Sequence, residues 1–391
     1  MRIFSGARIV TESSVLEGHE LAVCGNRIAA IGPAGSTPRR GAEIVQLDGA
    51  YLMPGLIDIH ADYIERMAAP RPTRLMDFAL AVREAERELV THGITTMFHS
   101  LSFHDYSEFL LGEIRLPEHT RRLVAVISEA HDGEHLIRHR LHARFEIDSG
   151  GRLQELRSYI EEGKVHLLSF MDHSPGQGQY RNLEIYRKTL QGYHGMSDEE
   201  AEKRTREVMA RERIDFDEMA FLARFARSRN VAVASHDDDS VDKLALVRDF
   251  GATISEFPIM IEVARAAKAA GMHTVAGATN VLMNGSHSGN MSATQAVMED
   301  VVDILCSDYY PAALLHAVFK LHCVNGLPLH RAASLATINP ARAVLMDGEL
   351  GSLEVGKRAD LLAVRMIGDD FPVVSHAVID GSTVFVSSYR R

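Results

Sequence analysis

Two hydrophobic patterns alternate through the middle of the chain. The stretch FALAVREAERELVTHG places Phe78, Val82, Ala85 and Leu89 on one helical face, with Gly93 as the expected C-terminal cap. A β-branched run, GITTMFHS, follows at once. The same rhythm predicts strands ending near His60, His99, Glu146, Asp172, His236, Glu256, Ala278 and Asp308. Eight strands separated by helical stretches predict an α/β fold, a (β/α)8 TIM barrel over residues 54–345. An open doubly wound sheet would place a glycine-rich turn after its first strand, and IHADYIE stands there instead.

The two ends of the chain read differently. Residues 1–53 and 346–391 alternate with period two and are punctuated by Gly25-Asn26 and Gly32-Pro33. They predict short strands that meet in one small β-domain. The charged segment Gly192 to Arg213 reads as an excursion between the fourth and fifth strands, a solvated surface helix before a lid.

Composition narrows the function. The chain has 391 residues, 46% of them hydrophobic and 24% charged, so it can bury a large core. A net charge of −11 argues against nucleic acid or an anionic membrane as partner. An anionic substrate must therefore be held by local positive charge or by metal. Cys24, Cys306 and Cys323 form no CxxC pair, which fits a reducing cytoplasm. No apolar run approaches membrane-spanning length. Twenty histidines are the one compositional oddity.

Barrel enzymes build their sites at the C-terminal ends of the strands. Metal-ligand residue types recur there: His60 and Asp62, Glu146, His173, His236 and Asp308. One histidine at a strand end is more often a hydrogen-bonded polar residue than a ligand. Six such residues at one end favour a metal centre, with two ions bridged by a carboxylate. Imidazole and carboxylate together suit zinc, with manganese or iron as alternatives. Asp237, Asp238 and Asp239 beside His236 read as orienting carboxylates or as a solvated loop start. His131, His135 and His139 read as a polar helix face.

Two glycine-rich loops are candidates for anion binding. SPGQGQYR places Gly176, Gln177, Gly178 and Arg181 directly after His173, and NGSHSGN places Ser286, His287, Ser288 and Asn290 after the seventh strand. The competing reading is ordinary turn chemistry. Lys164 and Arg144 are further candidate cations if strand alternation turns them inward.

YLMPGLIDIHAD and NPARAVLMDGELGSLEVGKRADLLAV resemble the opening and closing signatures of the amidohydrolase superfamily. Within it, HRLHARFE, LLSFMDHSPGQGQY, ASHDDDS, EFP, NGSHSGN and DILCSDYYPAALL are similar to the phosphonate-metabolism diphosphatase family. That resemblance implies a metal-dependent barrel hydrolase with a β-sandwich made from both termini. It also implies a small phosphorylated-sugar substrate: α-D-ribose 1-methylphosphonate 5-triphosphate, hydrolysed to the 5-phosphate and pyrophosphate in the carbon–phosphorus lyase pathway. For such a reaction Asp308 is the expected proton acceptor, and Glu146, the acidic strand end nearest the middle of the strand order, the expected bridging carboxylate. His60-Ala61-Asp62 replaces the H-x-H common in the superfamily and agrees with this branch, whereas Tyr63 and the segment Thr73 to Glu108 depart from it. The competing functions are hydrolysis of a C–N bond and a non-catalytic binding barrel. A homo-oligomer is compatible with the sequence.

Overall fold

The computed structural model describes every residue except 72–73, 106–112, 181, 284, 286–290 and 391. Eight parallel strands form the barrel: β1 (Leu56–Ala61), β2 (Ile94–Phe103), β3 (Arg138–Glu146), β4 (Leu167–Met171), β5 (Ala232–His236), β6 (Ile254–Glu256), β7 (His273–Gly277) and β8 (Ile304–Cys306). They pair in sequence order, each with the next. Helices cover the outside between strands. The helix Phe78–Thr91 illustrates why: Asp77 caps its start by accepting from the Leu80 amide, and Phe78, Val82, Ala85 and Leu89 are buried. Gly93 sits at φ +85°, where a side chain would be strained.

The barrel closes without a full ladder between β8 and β1. Asp308 and Asp62 stitch the upper seam instead: the Asp308 amide donates to the His60 carbonyl at 3.0 Å, and the Asp62 amide donates to the Asp308 carbonyl at 2.9 Å. Just below, the buried Asp58 carboxylate accepts from the Ser307 amide at 3.1 Å. Lower still, the Ile57 amide donates to the Ala336 carbonyl. The seam therefore fixes His60, Asp62 and Asp308 side by side.

Inside the barrel, character changes along the axis. Ile57, Phe98, Leu167, Ala232, Ile254, Val275 and Ile304 pack together in an apolar cluster. The residues at the strand C-termini are histidines and carboxylates. Outward-facing Leu141, Ala143, Phe145, Leu168 and Phe170 join the core shared with the helices.

Both chain ends contribute to two further sheets. One holds Arg2–Ser5, His19–Cys24, Arg27–Pro33 and Glu43–Gln46. The other interleaves Arg8–Val10, Val15–Leu16 and Tyr51–Pro54 with the C-terminal strands Leu361–Ile367, Phe371–Ile379 and Ser382–Val386. Phe4, Leu21, Ile28, Leu52, Leu361 and Val378 share a separate core. Arg138 at the start of β3 ties this unit to the barrel, pairing with buried Asp360 and, at 2.5 Å, with Asp380.

Three expectations need correction. β2 does not end near His99 but runs on to Phe103. His99 is buried inside the strand and hydrogen-bonds His139 at 2.9 Å, which in turn bonds Glu86 at 3.1 Å. His131, His135 and His139 do not share a helix face, because the helix Pro117–Asp132 ends before His135 and His139 lies on β3. The segment from Gly192 is not one solvated helix. Gly195 ends the helix Leu183–His194 at φ 65°, and Asp198–Met209 begins anew under a Ser197–Glu200 capping box, burying Ala201, Thr205 and Val208.

Candidate metal centre

The alternation of β1 brings His60 to the mouth, where it is almost fully buried. Its Nδ1 hydrogen-bonds Glu256 Oε1 at 2.8 Å, which leaves Nε2 free to meet an ion. Burial holds the imidazole pKa well below its ordinary value, with the nearby charges of Arg144 and His236 adding to the effect. Glu256 ends β6 and is fully buried between two rings, His60 and His142, with its Oε2 lacking a hydrogen-bond partner. Phe257 follows in the left-handed region at φ 52°, rare for an aromatic residue. Its ring lies edge-on to His60 at 4.9 Å and 5.1 Å from His236. This strain fixes the two imidazoles with an apolar wedge.

His236 ends β5 and is buried, yet neither of its ring nitrogens has a hydrogen-bond partner. Buried polar atoms are rarely left so. Ligand-type atoms converge on it from both sides. One group comprises His60, His236 and Glu256, and the other His173, His236 and Asp237, each with its atoms within 4.8 Å of one another. Asp237, at φ 51°, carries an unpartnered Oδ2 lying 3.1 Å from His236 Nδ1 and 3.8 Å from His173 Nε2. Burial works against its charge, but His236 and His173 outweigh it and hold the carboxyl at about 2. Orphaned nitrogens and oxygens at this spacing fit a divalent ion held by imidazole and carboxylate.

Glu146 ends β3 and hydrogen-bonds His173 Nδ1 at 2.6 Å. Burial opposes a charge on either partner. The pair's mutual attraction wins, holding Glu146 below and His173 above its ordinary pKa. Asp62 is half-buried and paired with Arg115 at 3.2 Å, while Arg115 also binds Glu65 at 2.7 Å. Asp308 follows β8 at φ 62°. Burial first, then the neighbouring Asp62 charge, push its carboxyl up to about 7. His60, His173 and His236 thus lie within the two donor groups, while Asp62, Glu146 and Asp308 stand around them.

The surrounding residues sort differently from their sequence pattern. The amides of the first glycine-rich loop are already used: Gly176 donates to the Tyr180 carbonyl, Gln177 to that of Ser174, and Gly178 to Asp239 Oδ2 at 3.0 Å. These bonds are the ordinary turn chemistry of the competing reading; the Gln177 side chain is exposed. Arg181, Ser286, His287, Ser288 and Asn290 lie outside the described residues. Lys164 pairs with Glu162 at 2.6 Å, away from the mouth. Arg144 does turn inward, on the same face of β3 as His142 and Glu146. Asp238 is buried and accepts from Ser235 and Ser255 with no hydrogen bond to His236. Tyr63 turns its hydroxyl to Glu88 on the outer helix, so this departure concerns packing.

Sequence reasoning placed a strand end at Glu256 but passed over it as a donor, because a three-residue strand does not show which face its carboxylate takes. It also passed over His104, the residue after the extended β2, which is buried with both ring nitrogens unpartnered. Burial lowers its pKa to about 4, against the pull of Glu146.

A model of the amidohydrolase family matches residues 51–384. The chain belongs to the amidohydrolase family. The alpha-D-ribose 1-methylphosphonate 5-triphosphate diphosphatase of Escherichia coli K12 is 33% identical over 98% of this chain and 100% of its own length. The adenine deaminase of Paracoccus denitrificans is 36% identical, but over 22% of this chain and 12% of its own. Among solved amidohydrolase-like folds, N-acetylglucosamine-6-phosphate deacetylase from Pasteurella multocida superposes with a TM-score of 0.64 at 15% identity, covering 98% and 99% of the two chains. A prolidase-like protein from Bifidobacterium longum gives 0.65 at 17%, covering 100% and 95%. These two likenesses bear on the fold alone. As an amidohydrolase, the chain is a metal-dependent hydrolase, and its donor groups at the strand ends are built for divalent ions. No described helix is long and apolar enough to cross a membrane.

Proposed function

We propose that this amidohydrolase cleaves a phosphoanhydride, releasing pyrophosphate from α-D-ribose 1-methylphosphonate 5-triphosphate and leaving the 5-phosphate, a step of phosphonate breakdown by the carbon–phosphorus lyase route. The observation that carries the reading is the end-to-end likeness to the E. coli diphosphatase, 33% identical over 98% of the chain. The adenine deaminase of P. denitrificans shares only 86 aligned residues.

The residues that would hold the ions are His60, Asp62, Glu146, His173, His236 and Asp308, with Glu146 as the bridging carboxylate. Two zinc ions suit this donor set, with manganese or iron as alternatives. Bound there, the ions would polarise water and phosphoryl oxygens. Asp308 takes the proton of the attacking water. His104 and Gln177 offer free donors for the phosphate chain, and Arg181, Ser286, His287, Ser288 and Asn290 remain candidate contacts. The three cysteines are unpaired, in keeping with a cytoplasmic setting.

The alternative is hydrolysis of a C–N bond, the chemistry of the partly matching deaminases. Incubating the metal-loaded protein with the triphosphate and with an amine and amide panel separates the two. Pyrophosphate release supports the proposal. Ammonia release without pyrophosphate overturns it.

A further inference from the structure

Arg144 has the wrong surroundings for a structural arginine. It lies on β3 between His142 and Glu146, while Leu141, Ala143 and Phe145 alternate outward into the core. Its Nε is buried without a hydrogen-bond partner. Three other described cations near the mouth are tied to protein groups. Arg115 is held by Asp62 and Glu65, Arg152 by Glu155, and Lys243 by the His236 and Asp237 carbonyls. Arg144 has no such tie among the described residues. Its charge nevertheless reaches His60, Glu146, His173 and Asp308.

A guanidinium Nε buried without a hydrogen-bond partner carries a desolvation cost that its more distant attraction to Glu146 and Asp308 offsets in part. Divalent ions on the neighbouring donors add positive charge to the same side. An anion lying between the guanidinium and the donor groups would satisfy both sides at once. A neutral amide leaves Arg144 unpaired, whereas a phosphoryl group presents non-bridging oxygens that match its planar fork.

We propose that Arg144 is the specificity-determining residue of this site, gripping non-bridging oxygens of the substrate's phosphate chain and so selecting an anionic substrate over a neutral one. The phosphoryl identity rests on the diphosphatase reading, whereas the demand for an anion rests on Arg144 alone.

Calorimetric titration of the zinc-loaded parent, Arg144→Met and Arg144→Lys with inorganic pyrophosphate, and with succinate in a second arm, tests this. Arg144→Met should keep the parent's metal content and bind pyrophosphate at least ~10-fold more weakly, the loss of one bidentate charge-assisted pair. Arg144→Lys keeps the charge without the fork and should lose about 5-fold. Turnover should fall mainly in kcat, because the lost contact strengthens in the transition state. Equal pyrophosphate affinity in parent and Arg144→Met overturns the assignment and leaves the diphosphatase reading standing. Arg144-dependent succinate binding without pyrophosphate binding keeps the anion role and overturns the diphosphatase reading. Absence of any anion binding by the parent overturns both. If Arg144→Met loses metal or unfolds, full pyrophosphate affinity in Arg144→Lys overturns the bidentate grip, and the expected loss supports it.

Discussion

Replacing Asp308 with Asn is expected to stabilise the metal-free protein while crippling the enzyme. The carboxyl is lifted from 3.8 to about 7, first by burial, then by Asp62, with Asp58 and Asp237 adding and Arg144 opposing. A folded pKa above the unfolded one means that the fold favours the protonated form. That contribution is intact below about pH 4 and is lost as pH rises through about 7. About three pKa units at ~1.4 kcal/mol each give a cost near 4 kcal/mol at high pH. Asp308 is open to the barrel mouth, and solvent screening brings this to roughly 2–4 kcal/mol. Asn carries no charge to strand. The stability gap between Asp308→Asn and parent should therefore widen by about 1–3 kcal/mol between pH 5 and pH 8.5. Urea unfolding of chelator-treated proteins across that range measures it. Over the same range kcat of the metal-loaded variant should fall by ~10²–10⁴, the usual worth of a positioned proton acceptor. A gap that stays flat with pH, or a variant less stable than the parent at pH 8.5, would refute the strained carboxylate. Turnover within a few-fold of the parent would remove Asp308 as the acceptor.

Three other substitutions probe separate parts of the structure. His236 belongs to both donor groups, so His236→Ala should lose most of the bound metal by elemental analysis, while Asp62→Asn, whose partner is Arg115, should lose less; equal losses would contradict the shared role of His236. Arg138→Met leaves buried Asp360 unpaired and should cost about 3–5 kcal/mol in urea unfolding, with kcat unchanged at 25 °C. A cost below about 1 kcal/mol would mean that this pair does not bolt the terminal sheet to the barrel.

Much of this architecture was legible because it is written in periods. Alternation and helical spacing are local properties, so eight strands and their covering helices could be read from the chain. His60, His173 and His236 stood out because each polar residue breaks an apolar run. What failed depends on partners far away in sequence. His99 breaks the run of β2 just as His60 breaks that of β1, but its neighbours His139 and Glu86 make it a core residue on the outer face. The strand then continues to Phe103, which hid His104. Glu256 gains meaning only from His60 and His142 across the barrel. The amides of Gly176, Gln177 and Gly178 looked free because their acceptors, above all Asp239, lie in other turns or on another loop. Arg144 was ambiguous until the register of β3 set its face.

The central claim is that this chain joins a divalent-metal centre to phosphoanhydride cleavage. Its most direct test is product analysis with α-D-ribose 1-methylphosphonate 5-triphosphate, on chelated and then zinc-reloaded enzyme. The account predicts stoichiometric pyrophosphate and 5-phosphate from the reloaded enzyme and none from the chelated one. Full turnover in a verified metal-free sample, or no pyrophosphate from a fully loaded one, would contradict it.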